Sequence, residues 1–380
     1  MHTGLLYILK NHLDEILFGC FILSAAVQFI YWLAVHGRII FHRARTSYHP
    51  RFPVSVIICA RDEGENLRKN LPCILEQRYP DFEVIVVNDR SADDTADILV
   101  MLQSRYPHLR TTTIKQSVDF TRGKKLALTI GIKAARHEWL LLTDADCRPG
   151  SDQWLRRMQR NFDKQADVVL GYGGYTRERS LLNLVIRAET LFIALQYFSF
   201  ALAGFPYMGV GRNLAYRKSV FFKNRGFATH SRMISGDDDL FVNEVARKGN
   251  TRVECSRECH TRSEAEKTWH DWYLRKKRHL LTGPRYRPAT KWLLGTELVS
   301  RYILYLSFAS LMIISFLPGW ILGVMGARLL TQMLVLNITA SRLNEKYLLL
   351  FSLLLDLAVP VLNAYIVFSN YVAHKRSRWK

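Results

Sequence analysis

The stretch WLLLTDADC, from Trp139 to Cys147, reads as an apolar strand that closes on two acids. Asp144 and Asp146 lie two residues apart in an extended segment, so both side chains project to the same side. Two like charges at the exposed end of a strand repel each other. A bound divalent cation removes that cost, and a ligand set made of oxygens alone suits Mg²⁺ or Mn²⁺. An ordinary acidic turn has the same letters, because Asp is common after strands. The surroundings of the pair decide between the two.

Upstream, from Pro53, short β-rich runs alternate with helical stretches. Strands are expected at Val54–Cys59, Val84–Val87, Thr111–Ile114 and Trp139–Thr143, three of them dense in Val, Ile or Leu. Helices are expected at Asn66–Glu76, Thr95–Gln103 and Lys124–Arg136, with Pro72 as a kink point in the first and Ser91 capping the second. After Pro149 and Gly150, a helix bearing Trp154, Leu155, Met158 and Phe162 leads to a strand at Val168–Gly171. Asp239–Lys248 reads as a helix closed by Gly249. This alternation specifies an α/β fold: a mainly parallel sheet with helices on both faces and ligands beyond the carboxyl ends of its strands. Asp144 and Asp146 fall at that edge.

Apolar segments flank this region. Ile16–Val35 is free of charge and spans about 30 Å as a helix. It is too long for a signal-peptide core and is preceded by Asp14 and Glu15, so an uncleaved anchor with its N-terminus outside is expected. Tyr302–Leu317 and Leu348–Phe368 are expected spans. Thr190–Val210 is apolar, but Glu189, Gln196, Gly204 and Pro206 favour a helix packed within the domain or lying at the interface. Arg328 and Gln332 interrupt Trp320–Ile338. If the catalytic part and the basic tail share the cytoplasmic side, parity makes that segment an interfacial helix.

The net charge is +20, yet 49% of residues are hydrophobic. The basic residues collect at the ends of apolar segments. Arg38, His42, Arg43 and Arg45 follow the first; Lys375, Arg376, Arg378 and Lys380 follow the last; Arg275, Lys276, Lys277, Arg278, Arg285, Arg287 and Lys291 precede another. Such placement reads as charge facing anionic lipid on the cytoplasmic side. A nucleic-acid binder would interleave basic and aromatic residues on its soluble domain, so no nucleic-acid partner is expected. Cys20, Cys59, Cys73, Cys147, Cys255 and Cys259 are scattered, as in a reducing compartment. Cys255, Cys259 and His260 lack a second cysteine pair at zinc-finger spacing.

Four charged clusters follow the expected strands: CARDEGEN with Asp62, Glu63 and Asn66; VVNDRSADDT with Asp89; RGKKLAL with Lys124 and Lys125 opening a helix; and the Asp144–Asp146 pair. A sheet edge that gathers carboxylates, a lysine pair at a helix N-terminus and a metal site suits a nucleotide diphosphate. Singly, each cluster is ordinary solvated loop charge. Four along one edge are not.

From about Phe52 to Arg287 these motifs resemble, in order and spacing, the family 2 glycosyltransferases, inverting enzymes of the GT-A fold. The resemblance implies nucleotide-sugar binding by Glu63, Asp89, Lys125, Asp144 and Arg275, and metal support by Asp146 with Asp144. Arg90 stands where the second motif more often has glycine. Gly236-Asp237-Asp238-Asp239-Leu240 resembles the family's Glu-Asp-x-Asp segment, which implies Asp237 as general base, Asp239 as second acid and Asp238 between them. A carboxylate at a helix start is stabilised as the anion by the helix dipole, while crowding by its neighbours pushes its pKa the other way. Arg275-Lys-Lys-Arg278-His279 resembles the Gln-x-x-Arg-Trp signature, with Arg278 neutralising the leaving diphosphate. His279 replaces the tryptophan, which argues against a long-polymer synthase. GVGRNLAYRKS, Gly209 to Ser219, resembles the acceptor-side segment, so Arg212, Asn213 and His279 are acceptor-side candidates. Gly209-x-Gly211 lacks the third glycine and the strand–turn–helix unit of a dinucleotide loop.

The resemblance divides the chain into an anchor (1–45), a GT-A domain (52–290, with a nucleotide-binding half 52–150 and an acceptor and catalytic half 151–290) and C-terminal transmembrane or interfacial helices with a basic tail (291–380). The expected activity is metal-dependent transfer from a nucleotide sugar, UDP-linked by resemblance, to a lipid or lipid-linked saccharide. The expected place is the cytoplasmic face of a bacterial inner membrane. Two alternatives are a transferase that loads polyprenyl phosphate and a catalytically silent nucleotide-sugar-binding membrane protein.

Overall fold

The computed structural model describes residues 12–43, 52–114, 123–231, 233 and 235–377, with backbone alone at 349, 350, 352 and 370–377. Arg45, Arg378, Lys380 and the side chains of Lys375 and Arg376 lie outside the described set.

The expected strands form the centre of a seven-stranded sheet. β1 (Val54–Ala60), β2 (Phe82–Asn88), β3 (Leu109–Thr113) and β4 (Trp139–Asp144) are mutually parallel. With β6 (Val168–Leu170), β8 (Leu214–Arg217) and β9 (Thr251–Val253), the order is β3-β2-β1-β4-β8-β6-β9. A smaller sheet sets β10 (Thr261–Ser263) between β5 (Arg148–Pro149) and β7 (Gly173–Tyr175). The near-continuous apolar runs of β1, β2 and β4 reflect burial on both faces. Ile57, Ile85, Val87, Leu140 and Leu142 point into one core, and Val56, Ile58, Val84, Val86 and Leu141 into another.

α2 (Gly64–Leu75) and α3 (Thr95–Arg105) cover the second face, and α4 (Lys124–Ala134) covers the first. α4 approaches so closely that a Cβ on Gly131 would stand 2.7 Å from Ile57 Cγ2. β1 is flanked by β2 on one side and β4 on the other, so chain order reverses across it. That switch point is where open α/β sheets leave a crevice for ligands. Ser91 does not cap α3: Asp94 stands at that position, and Ser91 Oγ accepts the Asp62 N–H at 2.9 Å, stitching the β1 and β2 loops together. α5 (Trp154–Gln159) follows β5, and α7 (Lys218–Lys223) follows β8. α8 (Asp239–Val245) stops three residues short of Lys248.

α6 (Leu181–Leu202) has the length and hydropathy of a span, yet two-thirds of it is buried, as its polar interruptions led us to expect. α1 (Leu13–Phe41) and α11 (Pro318–Arg342) are also long and apolar enough to cross a membrane. The latter contains Trp320–Ile338, the segment that parity made interfacial, and has the length and hydropathy of a span. Arg328 and Gln332 are wholly buried, with Arg328 Nη1 3.0 Å from Asp356 Oδ2 and Nη2 donating to Gln28 Oε1 at 2.9 Å. Charges paired inside a helix bundle do not bar it from lipid. The segment expected as Tyr302–Leu317 belongs to a longer helix, α10 (Pro288–Ile313), which ends before Leu317. α12 (Leu349–Ser377) contains the apolar stretch Leu353–Ser369.

Candidate active site

β4 ends at Asp144, directly across from Cys59 of β1. Burial pushes the Cys59 thiol up; Lys124 opposes this, and Asp144, Asp237 and Asp89 add to it. Charges from four separate segments thus converge on one point at the strand ends. Asp144, Asp146, Asp237 and Arg278 also line a single cavity of about 1390 Å³.

Lys124 links the two halves of that cavity. Its ammonium donates to Asp144 Oδ1 at 2.6 Å and lies 3.4 Å from Asp237 Oδ2. Burial works against the charge, but Asp144, Asp237 and Asp238 hold Lys124 well above the usual lysine range. Asp144 is half-buried, which would raise it, and the lysine instead holds it below the usual carboxylate range. Asp146 is pushed up to about 6 by burial and by the Asp144 charge.

Asp144, Asp146 and Cys147 present atoms within 4.8 Å of one another. Burial, then Asp146 and Asp144, drive the Cys147 thiol well up, so the donors on offer are hard carboxylate oxygens. The raised Asp146 marks a repulsion that a cation would remove. Both features fit Mg²⁺ or Mn²⁺.

The three consecutive aspartates separate by what they touch. Asp238 caps α8: its Oδ1 accepts the Asp239 N–H at 2.7 Å and its Oδ2 the Gly211 N–H at 2.8 Å. Burial, then Asp237 and Asp239, push it up to about 7. Asp239 accepts the Tyr286 hydroxyl at 2.8 Å on Oδ2 and the Leu240 N–H at 2.7 Å on Oδ1. Asp237 is the member beside Lys124. Gly236, at the place of the family's glutamate, has φ 100°, and a Cβ there would meet Leu240 Cδ1 at 2.6 Å. A side chain does not fit this turn.

Lys125 lines the cavity, and its ammonium donates to the carbonyls of His230 (2.6 Å), Met233 (3.0 Å) and Ser235 (2.8 Å), so that it shapes the loop that carries Asp237. Asn213 is fully buried. Its Oδ1 accepts Trp154 Nε1 at 3.1 Å, and its Nδ2 donates to the Tyr172 (3.0 Å) and Cys259 (2.7 Å) carbonyls. Its amide thus ties the start of β8 to α5 and to two backbone carbonyls.

The other expected residues take the following places. Arg212 and Arg275 both lie over the Tyr175 ring, at 4.2 and 4.9 Å, and Arg275 pairs with Glu266 at 2.6 Å. Arg278 and His279 line the cavity from α9 (Trp269–His279), and Ser235 Oγ donates to the Arg278 carbonyl at 3.2 Å. Glu63 accepts Asn66 Nδ2 at 2.7 Å; burial raises it, and Asp144 adds to that rise. Asp89 is buried and paired with Arg90 at 2.7 Å. Arg90 has φ 59°, a left-handed position that glycine fills without strain, which accounts for the family's preference there.

Sequence reasoning missed Tyr286, Tyr175 and the Lys276–Glu189 pair, with Trp272 Nε1 donating to Glu189 at 3.2 Å. No local pattern marks an aromatic hydroxyl that reaches a carboxylate 47 residues away. One signal was present: Arg328 and Asp356 are opposite charges in two apolar segments, and intramembrane charges usually pair.

Residues 55–223 match the family described as Glycosyl transferase family 2. The chain is 31% identical over 93 residues to a poly-beta-1,6-N-acetyl-D-glucosamine synthase of Staphylococcus epidermidis, covering 24% of this chain and 21% of that protein. It is 35% identical over 106 residues to glycosyltransferase AglE of Haloferax volcanii, covering 27% and 33%. The chain thus spans a third or less of these curated relatives. Among solved structures it is similar to mannosyltransferase PcManGT from Pyrobaculum calidifontis, in complex with GDP-Man and Mn²⁺, at TM-score 0.55 and 21% identity, over 86% of this chain and 98% of that one. The family match begins inside β1 and ends with α7, so it holds the parallel strands and the Asp144–Asp146 edge but stops before Asp237. The chain therefore carries a family 2 glycosyltransferase region at residues 55–223 and has the GT-A fold.

Proposed function

We propose that the chain transfers a hexose, with inversion, from a nucleotide sugar (UDP-linked by family resemblance) to a lipid or lipid-linked saccharide at the cytoplasmic face of a bacterial inner membrane. The observation that carries the reading is Lys124, which joins Asp144 of the nucleotide half to Asp237 of the acceptor half within one cavity. Asp237 takes the proton of the acceptor hydroxyl as that oxygen attacks the anomeric carbon from the face opposite the leaving group. The bond from that carbon to the diphosphate oxygen breaks, and the electron pair leaves with the nucleoside diphosphate. Arg278 and Lys124 meet the charge that develops there. Asp144 and Asp146 would hold Mg²⁺ or Mn²⁺, which when bound neutralises the departing diphosphate.

Asp237→Asn tests the assignment. Transfer of radiolabelled sugar into lipid extracts should fall by at least about a thousandfold, in the range expected when a general base and its electrostatic support are lost together, while nucleotide affinity stays near that of the parent. Undiminished turnover removes Asp237 from the mechanism.

A further inference from the structure

The cavity does not end at the catalytic groups. It continues between two helices of the membrane part: Lys291, Leu298 and Arg301 line it from α10, and Val359, Asn363 and Val367 from α12. α10 packs along α1 and α11, and α11 packs on α12, so α10 and α12 face each other across the cavity. They are tied at Asp356, whose carboxylate lies 3.0 Å from Arg301 Nη1 and accepts the Tyr305 hydroxyl at 2.8 Å. Pro360 has no N–H for the Asp356 carbonyl one turn back, and Arg301 Nη1 donates to that carbonyl at 3.2 Å. The clasp is therefore built on a programmed gap in the helix. Beside it, Leu298 and Val367 line the cavity while remaining 38% and 47% exposed. The walls thus carry charge at Asp237 and again at the clasp, with apolar side chains lying open beside it between the two helices. Lys291, exposed and cationic, lines both this cavity and a second, almost wholly apolar groove between α1 and α10.

We propose that the opening between α10 and α12 admits a long-chain lipid with a phosphate head group. Its hydrocarbon lies against Leu298, Val359 and Val367, its phosphate meets Lys291, and the Arg301–Asp356 clasp sets the depth it reaches. This deepens the transferase reading and rests on it: the lipid is the acceptor's carrier. An apolar tail leaves water on lying against these open side chains, and a phosphate gains an ammonium partner at Lys291.

The full chain in phosphatidylethanolamine–phosphatidylglycerol nanodiscs is exposed to a diazirine-tailed long-chain alkyl phosphate, and crosslinks are mapped by mass spectrometry. Labelling should concentrate on Leu298, Val359 and Val367 over the outward-facing Leu306 and Leu330. Leu298→Trp and Val367→Trp, both at open positions, should each cut it about tenfold, the effect of losing roughly 1.4 kcal/mol of binding. The alkyl alcohol with the same tail should label these residues less than the phosphate, and Lys291→Gln should erase that difference. Labelling no greater than at Leu306 and Leu330 means bulk lipid only and overturns the proposal; so does equal labelling by alcohol and phosphate. Nucleotide binding by the unaltered chain is measured in the same discs. Its failure sinks the transferase reading and leaves the lipid map to be judged on its own.

Discussion

The hydroxyl of Tyr286 donates to Asp239 Oδ2 at 2.8 Å, tying the segment that leads into α10 to the aspartate turn of the catalytic domain. The next residues reinforce the joint. Arg287 N–H donates to Asn243 Oδ1 at 2.8 Å, and Asn243 Nδ2 donates to the Tyr207 carbonyl at 2.9 Å. α10 therefore starts from the back of the helix that Asp239 opens. Tyr286→Phe removes the donor and leaves a buried carboxylate short of one partner. The cost should be about 1.5–3 kcal/mol, read as a lowered thermal midpoint, with turnover falling more than nucleotide affinity. An unaltered midpoint and turnover would mean that the joint is incidental.

Lys124 and Lys125 are adjacent and do opposite work. Lys124→Met should abolish most transfer, because the cation between Asp144 and Asp237 is lost, while folding is kept. Lys125→Met should cost stability, on the order of 1–3 kcal/mol, by stripping the donor from three loop carbonyls. Thermal unfolding and transfer assays on both variants check the split. A reversed pattern refutes the assignment.

Acidic pH offers a separate check. Asp238 titrates at about 7 when folded, against the usual 3.8. A carboxyl raised on folding contributes stability below its unfolded pKa and loses it as pH climbs through the folded value. In chelator-treated protein, the parent's midpoint should therefore fall relative to that of Asp238→Asn between pH 3.8 and about 7. Parallel curves across that window would contradict the burial of this carboxyl.

Mn²⁺ should raise the thermal midpoint of the parent, most of all above pH 6, where Asp146 has lost its proton. Asp146→Asn should remove most of that rise. A rise that persists in the variant would locate the ion elsewhere.

Where α10, α11 and α12 meet, Asp356 is the shared partner of Arg301, Arg328 and Tyr305. Asp356→Leu leaves the wholly buried Arg328 guanidinium without a carboxylate, while Arg301 keeps Glu297, and should destabilise by roughly 3–5 kcal/mol, as single-partner losses from buried pairs do. Adding Arg328→Met should recover part of that loss. Midpoints in one detergent compare the three proteins, and an additive double mutant argues against direct pairing.

Much of the fold was legible because strand burial and helix periodicity are local properties. Val54–Ala60 and Phe82–Asn88 are apolar on both faces because both faces are covered, and that shows in the letters alone. The spacing of Asp144 and Asp146 likewise fixed a shared side for the two acids. The choice between neighbours was not legible. Successive helical residues point about 100° apart, so which of Lys124 and Lys125 meets the acids depends on how α4 is rolled against the sheet. Asn213 and Arg328 carry the same lesson. Their polarity suggested a ligand and a membrane surface, yet each is buried among partners more than forty residues or a whole helix away in the chain, Trp154 for one and Asp356 for the other. The amino-acid order thus set the strands, the acidic edge and the apolar helices. Only packing decided which charges meet, because a polar group's role follows from the partner it finds in three dimensions.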